Sequence, residues 1–336
     1  MPSRCCPACF DDRGLRKNIF PTLRPDHGNC DFCGAANVEL VDPPELADYF
    51  ELLVNIYEPD PHGKLLVEWM KEDWALFPSM DIAHAKELLS EILDDGDIVR
   101  RPFVPSSTYR SNALVTWEAL RDEMMYKNRW FLEQAIDNDR LQNLLDFLPA
   151  DELPTTWYRA RIRSEATYTI DQMGAPPKRL ATHGRANPPG IPYLYLGSKP
   201  ETAIAEVRPH TGEVACVADF TLPAIKAVDL RNPRKLVSPF LLADATAIGQ
   251  LRADVPFLER LGEELTRPVL PQGAAIDYIP SQYLCEFIKK SRYEGVIYRS
   301  SVSDGINLAL FDPSKAAPGA VTLYDVSKVT VEVART

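Results

Sequence analysis

From Asp42 onward the chain sets apolar residues at the spacing of a helix. Leu46, Tyr49, Phe50, Leu53 and Ile56 recur along one helical face behind Asp42 and Glu45, which are spaced as a capping box with prolines in the first turn. Further stripes follow at Leu65, Leu66, Trp69 and Met70, and at Ile82, Ala85, Leu88, Leu89 and Ile92 behind Asp81. Two more lie at Leu114, Trp117, Leu120 and Met124 and at Leu141, Leu144, Leu145 and Leu148. These stripes predict a small α-helical domain over residues 41–150, with Trp69, Trp74, Trp117 and Trp130 as core aromatics by default and a partner surface as the alternative. Prolines close together in residues 149–154 end it as a linker, because proline offers no amide to a helix. Beyond the linker, short β-type runs appear at 156–162, 193–196, 214–220, 227–230, 295–299, 307–311 and 321–333, with helical runs between them. Their irregular spacing argues against a doubly wound sheet, so residues 151–336 are predicted to form an α+β domain.

Residues 1–40 break this texture: they show little apolar periodicity and are dense in Cys, Asp, Arg and Gly. Five of the seven cysteines, Cys5, Cys6, Cys9, Cys30 and Cys33, lie there. Cys6-Pro-Ala-Cys9 and Cys30-Asp-Phe-Cys33 are two matched knuckles whose thiolates can converge tetrahedrally on Zn2+, with Cys5 or His27 as alternative ligands. Four protein ligands would close the metal to substrate, so the expected role of the zinc is structural. Cys216 and Cys285 stand among apolar neighbours and are expected in the core.

At 336 residues, about two or three compact units are expected. The formal charge of −11 argues against general nucleic-acid binding, which depends on Lys and Arg neutralising phosphates. No apolar run long enough for a membrane span or a signal peptide is present, so a cytoplasmic setting is expected.

The densest chemistry lies in the second half. Gly184-Arg-Ala-Asn-Pro-Pro-Gly-Ile-Pro192 is a proline-stiffened loop leading into a short strand that holds Tyr195. Ser198-Lys-Pro-Glu201 then reads as a capping box that starts a helix near Lys199, with Ala203, Ile204 and Val207 on its apolar face and Glu206 at the border. Residues 280–289 read as a second amphipathic helix, with Tyr283, Phe287 and Ile288 inward.

Trp157-Tyr-Arg159-Ala-Arg161, the proline loop, Thr202-Ala-Ile-Ala-Glu206 and Gly295-Val-Ile-Tyr-Arg-Ser300-Ser301 together resemble the RES domain, a family named for Arg, Glu and Ser positions. The similarity spans roughly residues 155–315. It implies an ADP-ribosyltransferase-like fold, NAD+ as substrate and a toxin-like role. By motif, the name-giving residues are Arg185, Glu206 and Ser300. Tyr195 matches a further pocket position, while Arg159 competes with Arg185, and Ser301 with Ser300. The family also implies an antitoxin or regulatory protein as partner. The helical segment resembles the HEPN-like domain fused to some RES domains, but His62 and His84 lack the arginine spacing of HEPN ribonucleases, so ribonuclease activity is not expected.

The chemistry follows independently from the bond. Cleaving the N-glycosidic bond of NAD+ creates an oxocarbenium-like ribosyl cation, while nicotinamide leaves neutral from a pyridinium, so no general acid is required. One carboxylate can stabilise the cation, where ordinary glycosidases need a pair. Glu206 suits that role, and Arg185 or Arg159 would fork onto the phosphates. Tyr195 would stack on nicotinamide or position ribose, with a core tyrosine as the competing reading. Ser300 would bind ribose or orient Glu206. Hydrolysis, phosphorolysis and transfer of ADP-ribose to a macromolecule share this cleavage, and a noncatalytic nucleotide-sensing module is the reading from another class. No Gly-x-Gly-x-x-Gly loop suggests hydride transfer.

Overall fold

A computed structural model describes residues 3–23, 25–270 and 272–330. It divides into two compact units, Met1–Leu114 with Asn232–Leu258, and Val115–Arg231 with Glu259–Thr336. The segments expected from the sequence run consecutively, whereas these units interleave. In chain order the elements are β1 (Asp26–Gly28), β2 (Val38–Leu40), α1 (Ala47–Val54), β3 (Tyr57–Leu65), α2 (Leu66–Trp74), α3 (Ile82–Leu93) and β4 (Pro102–Pro105). They continue with α4 (Ala113–Tyr126), α5 (Asn138–Leu145), β5 (Thr156–Ile162), β6 (Leu194–Gly197), α6 (Pro200–Glu206), β7 (Val214–Thr221) and β8 (Ala227–Asp229). The last are α7 (Pro233–Leu236), α8 (Ala245–Thr266), α9 (Ala274–Asp277), α10 (Ile279–Lys290), β9 (Gly295–Arg299), β10 (Ile306–Leu310) and β11 (Ala317–Asp325).

In the first unit the expected stripes become α1, α2 and α3, and Asp81 caps α3 by accepting the His84 amide at 2.9 Å. Two expectations need correction here. Residues 41–150 are not purely helical, because β3 and β4, with α2 and α3 between them in the chain, pair as a two-stranded antiparallel sheet. The cysteine-rich segment, which shows little apolar periodicity, nevertheless contributes to the apolar core of the unit: Phe10, Leu15, Ile19 and Phe20 are buried, and Phe10 packs 5.5 Å from Phe50 and 5.6 Å from Phe77. Short 3-10 and π turns carry these residues and hide their pattern from a helical or strand period. Arg252 adds a buried polar cluster, pairing with Asp73 at 2.6 Å while Tyr57 donates to the same carboxylate at 2.9 Å.

In the second unit all seven predicted β runs become strands of one mixed sheet, ordered β11-β7-β5-β6-β10-β9-β8. Every pair is antiparallel except β8 with β9. β11 ends at Asp325 rather than 333, and residues 331–333 lie outside the described residues. One face of the sheet buries Trp157, Leu194, Leu196, Cys216, Phe220, Ile297, Leu308 and Leu310. On the other, Ala203 of α6 packs with Ala160, Ala215 and Val217. Cys285 is buried as expected, but α10 turns Leu284, Cys285 and Ile288 inward while Tyr283 and Phe287 stay half-buried. Trp117 is fully buried in α4, whereas Trp130 is 83 % exposed and so is not a core residue. Among the described residues no helix is long and apolar enough to cross a membrane.

Candidate functional site

The sheet is nearly split in the middle. β5 pairs along its whole length with β7, and β6 pairs with β10, but β5 and β6 meet only where Tyr158 faces Gly197. A cavity of about 400 Å³ lies along this seam, lined among others by Arg159, Arg185, Tyr195, Glu206, Tyr298 and Asn307. Strand register explains the last three neighbours: Asn307 lies opposite both Gly197 and Tyr298, and Ala309 opposite Tyr195, so Tyr195, Tyr298 and Asn307 share one sheet face.

The short helix α6 brings Glu206 over that face. Its first turn crosses β6 so closely that a Cβ on Gly197 would fall 2.8 Å from the Ala203 amide nitrogen. The expected capping box does not form. Lys199 occupies the N-cap position without a side-chain bond, because the Ser198 hydroxyl is used elsewhere, accepting the Ile306 amide at 3.1 Å. Pro209 follows closely and cannot continue the helix, so α6 ends with Glu206 in its last turn.

Glu206 is exposed to the cavity rather than half-buried. Its Oε1 accepts two hydrogen bonds, from the Ser300 hydroxyl at 2.7 Å and from Asn307 Nδ2 at 2.7 Å. Both fall on one oxygen, which leaves Oε2 without a hydrogen bond among the described residues. Ser300 is oriented in turn by the Val302 amide, which donates to its Oγ at 3.2 Å. Ser301 lines the cavity but does not bond Glu206, so the two serines are not equivalent. Asn307 was not singled out from the sequence. A polar residue inside the apolar run Ile306-Asn-Leu-Ala-Leu310 is the signal that marks it, since such a side chain needs a partner when buried, and only 4 % of it is exposed.

The two arginines differ sharply. Arg185 donates through Nη1 to the Arg267 carbonyl at 2.8 Å, and its guanidinium lies 5.2 Å from the Tyr278 ring centroid. Arg159 is largely buried, and its Nη1 is inaccessible and without any hydrogen-bond partner. Burial, reinforced by neighbouring Arg161, pushes the Arg159 guanidinium down to about 10, which still leaves it cationic at neutral pH. A buried cation without a counterion is costly, and an anion entering the cavity would relieve it.

Tyr195 serves the loop as much as the cavity. Its hydroxyl accepts the amides of Ala186 and Asn187 at 2.9 and 3.2 Å and donates to Asn187 Oδ1 at 2.8 Å. From α10, Ser281 donates to the Arg185 carbonyl at 2.5 Å and Gln282 to the Gly184 carbonyl at 2.8 Å. The loop bearing Arg185 is therefore fixed from two sides, and only the ring of Tyr195 is left to meet a ligand. Burial raises the Tyr195 hydroxyl, and burial with the Glu206 charge raises that of Tyr298, so both phenols stay protonated.

In the first unit Cys6, Cys9, Cys30 and Cys33 place all four Sγ atoms within 4.8 Å of one another. The close pairs are Cys9 with Cys30 at 3.3 Å, Cys6 with Cys33 at 3.4 Å and Cys6 with Cys9 at 3.9 Å. These are too long for disulfides, whose sulfurs lie about 2.05 Å apart. They bracket the edge of roughly 3.8 Å that four thiolates about 2.3 Å from Zn2+ would have. The donor set therefore fits a metal ion. Gly34, at φ +71°, makes the turn that returns its amide to the Cys30 carbonyl at 3.1 Å. Neither alternative ligand joins the group: His27 is exposed on β1, and the nearest acceptor of Cys5 Sγ is the Val41 carbonyl at 3.8 Å.

The split sheet, with a carboxylate helix over a cavity rich in arginine, defines an α+β ligand-pocket domain. Residues 156–329 match the RES domain, and with more than half of the chain covered the protein belongs to that family. Among solved structures, that of the M. tuberculosis MbcT–MbcA toxin–antitoxin complex is similar at 15% identity, covering 57% of this chain and 94% of that one, with a TM-score of 0.34. A comparison with curated proteins gives no match.

Proposed function

We propose that the cavity cleaves the nicotinamide–ribose bond of NAD+, with Glu206 opposite the reacting carbon and an ADP-ribosyltransferase-like arrangement of the sheet. The observation that carries this reading is the state of Glu206: one carboxylate oxygen is fixed by Ser300 and Asn307, and the other is free, in a cavity shared with the unpartnered Arg159. The C1′–N bond breaks and its electron pair passes to the pyridinium nitrogen, so nicotinamide leaves neutral without a proton donor. The positive charge left on ribose faces the carboxylate, which is already oriented and need not reorganise. Water then attacks C1′ and loses a proton, giving ADP-ribose. Phosphate attack gives the phosphorylated product instead.

In this reading Arg159 and Arg185 hold the diphosphate, Tyr195 offers its ring to nicotinamide or ribose, Ser300 orients Glu206 and Ser301 lines the ribose side. The cysteine centre would hold Zn2+ as a closed structural site. As in toxin-like members of the family, an antitoxin or regulatory protein would be the partner and the cytoplasm the setting. The test is to incubate the purified protein with NAD+, with and without phosphate, and follow nicotinamide beside Glu206→Gln. Release by the wild type that the variant loses is the expected result. Equal release by both would remove Glu206 from the reaction.

A further inference from the structure

Arg208 lines the same cavity, two residues beyond Glu206, yet none of the RES motif positions includes it. Its backbone takes the left-handed turn that also ends α2 at Ala75 and α3 at Asp94. The residue has φ +50°, in the left-handed region where glycine is favoured and a Cβ costs roughly 1 kcal/mol. Packing does not account for its side chain, because Arg208 is exposed. Nor does pairing, since among the described residues its guanidinium makes no hydrogen bond or ion pair. Its amide simply closes the end of α6 by donating to the Ala205 carbonyl at 3.0 Å. That bond accounts for the backbone of Arg208, but not for an unpaired cationic side chain lining the cavity.

The charge of the cavity gives that function a direction. Its charged lining residues are Arg159, Arg185, Arg208 and Glu206, three cations against one anion, in a chain whose net charge is −11. Arg185 is partly occupied by the Arg267 carbonyl, and Arg159 lies deep in the seam. Arg208 is the exposed, uncommitted member. We propose that Arg208 is a substrate-selecting residue that engages the diphosphate of an incoming dinucleotide and so discriminates for phosphate-bearing ligands. This rests on the NAD+ reading for the identity of the substrate, but the anion preference can be measured without turnover.

A structural alternative is that Arg208 merely places a cation at the carboxyl end of α6. Replacement by glycine separates the two, because glycine relieves the backbone strain while removing the cation. For the full chain, Arg208→Gly should raise KM for NAD+ about tenfold with kcat within about twofold, and should leave Tm unchanged or higher. Arg208→Lys should restore part of the loss. In parallel, calorimetric binding of ADP should weaken about tenfold in Arg208→Gly, with a shallower dependence on salt. If the wild type fails to cleave NAD+ but Arg208→Gly still weakens ADP, only the reaction assigned to the site fails. Unchanged ADP affinity and salt dependence in Arg208→Gly, or no ADP binding by the wild type, would overturn the role of Arg208.

Discussion

The cysteine centre and the cavity are polar clusters built on opposite plans. In the cysteine centre every sulfur faces the other three, and nothing is left over for a visitor. In the cavity the charged groups keep something unspent: Glu206 a carboxylate oxygen, Arg159 an Nη group and Arg208 its whole guanidinium. The same contrast separates two buried arginines. Arg252 has Asp73 at 2.6 Å and lies 6.0 and 5.8 Å from the rings of Tyr57 and Trp69, whereas Arg159 has no acceptor. A cluster closed on itself has no group to offer a ligand, whereas one left open does.

The largest expected effect tests the closed cluster. Cys9→Ser should take the zinc content from one ion per chain towards none and destabilise the first unit by about 5 kcal/mol, less than the roughly 10 kcal/mol or more that zinc gives a coreless finger. The difference reflects the Phe10 core, and calorimetry with metal analysis measures both. In the open cluster, Glu206→Gln should cut nicotinamide release about 1000-fold, or roughly 4 kcal/mol, with Tm almost unmoved. Asn307→Ala, which strips one of two donors from Oε1, should lower kcat about 30-fold and leave KM nearly constant. The smallest effect is the sharpest test of the contrast. Arg159→Met should stabilise the ligand-free protein by about 1 kcal/mol while raising KM for NAD+, whereas Arg252→Met should destabilise by about 3 kcal/mol because Asp73 is left buried and unpaired. Equal destabilisation by both would erase the distinction.

These clusters were not equally readable from the chain. The cysteine cluster follows from two spacings, since each pair is local. Glu206 and Ser300 emerge from motif position, and every β run of the sheet was visible from its residues. Orienting Glu206 was one of the two roles open to Ser300, but the Asn307 contact was not legible: both side chains meet Glu206 across a loop and two strands, through a register that no local pattern encodes. Ser198 failed as a cap for the same reason, because the distant Ile306 amide competed for its hydroxyl. Likewise the isolation of Arg159 appears only when every neighbour is known to be something other than an acceptor. Phe10, Leu15 and Phe20 escaped because short turns obey neither period.

The single pairing of Tyr158 with Gly197 has a last consequence. Alternate residues of an inner antiparallel strand direct main-chain amides and carbonyls to each side, so β5 beyond Tyr158 turns peptide groups toward a neighbour that has moved away. Those groups belong to the polypeptide itself and survive every side-chain replacement. Alanine scanning of the pocket will therefore find residual affinity that no residue accounts for, and ligands carrying peptide-like hydrogen-bonding edges will exploit it best.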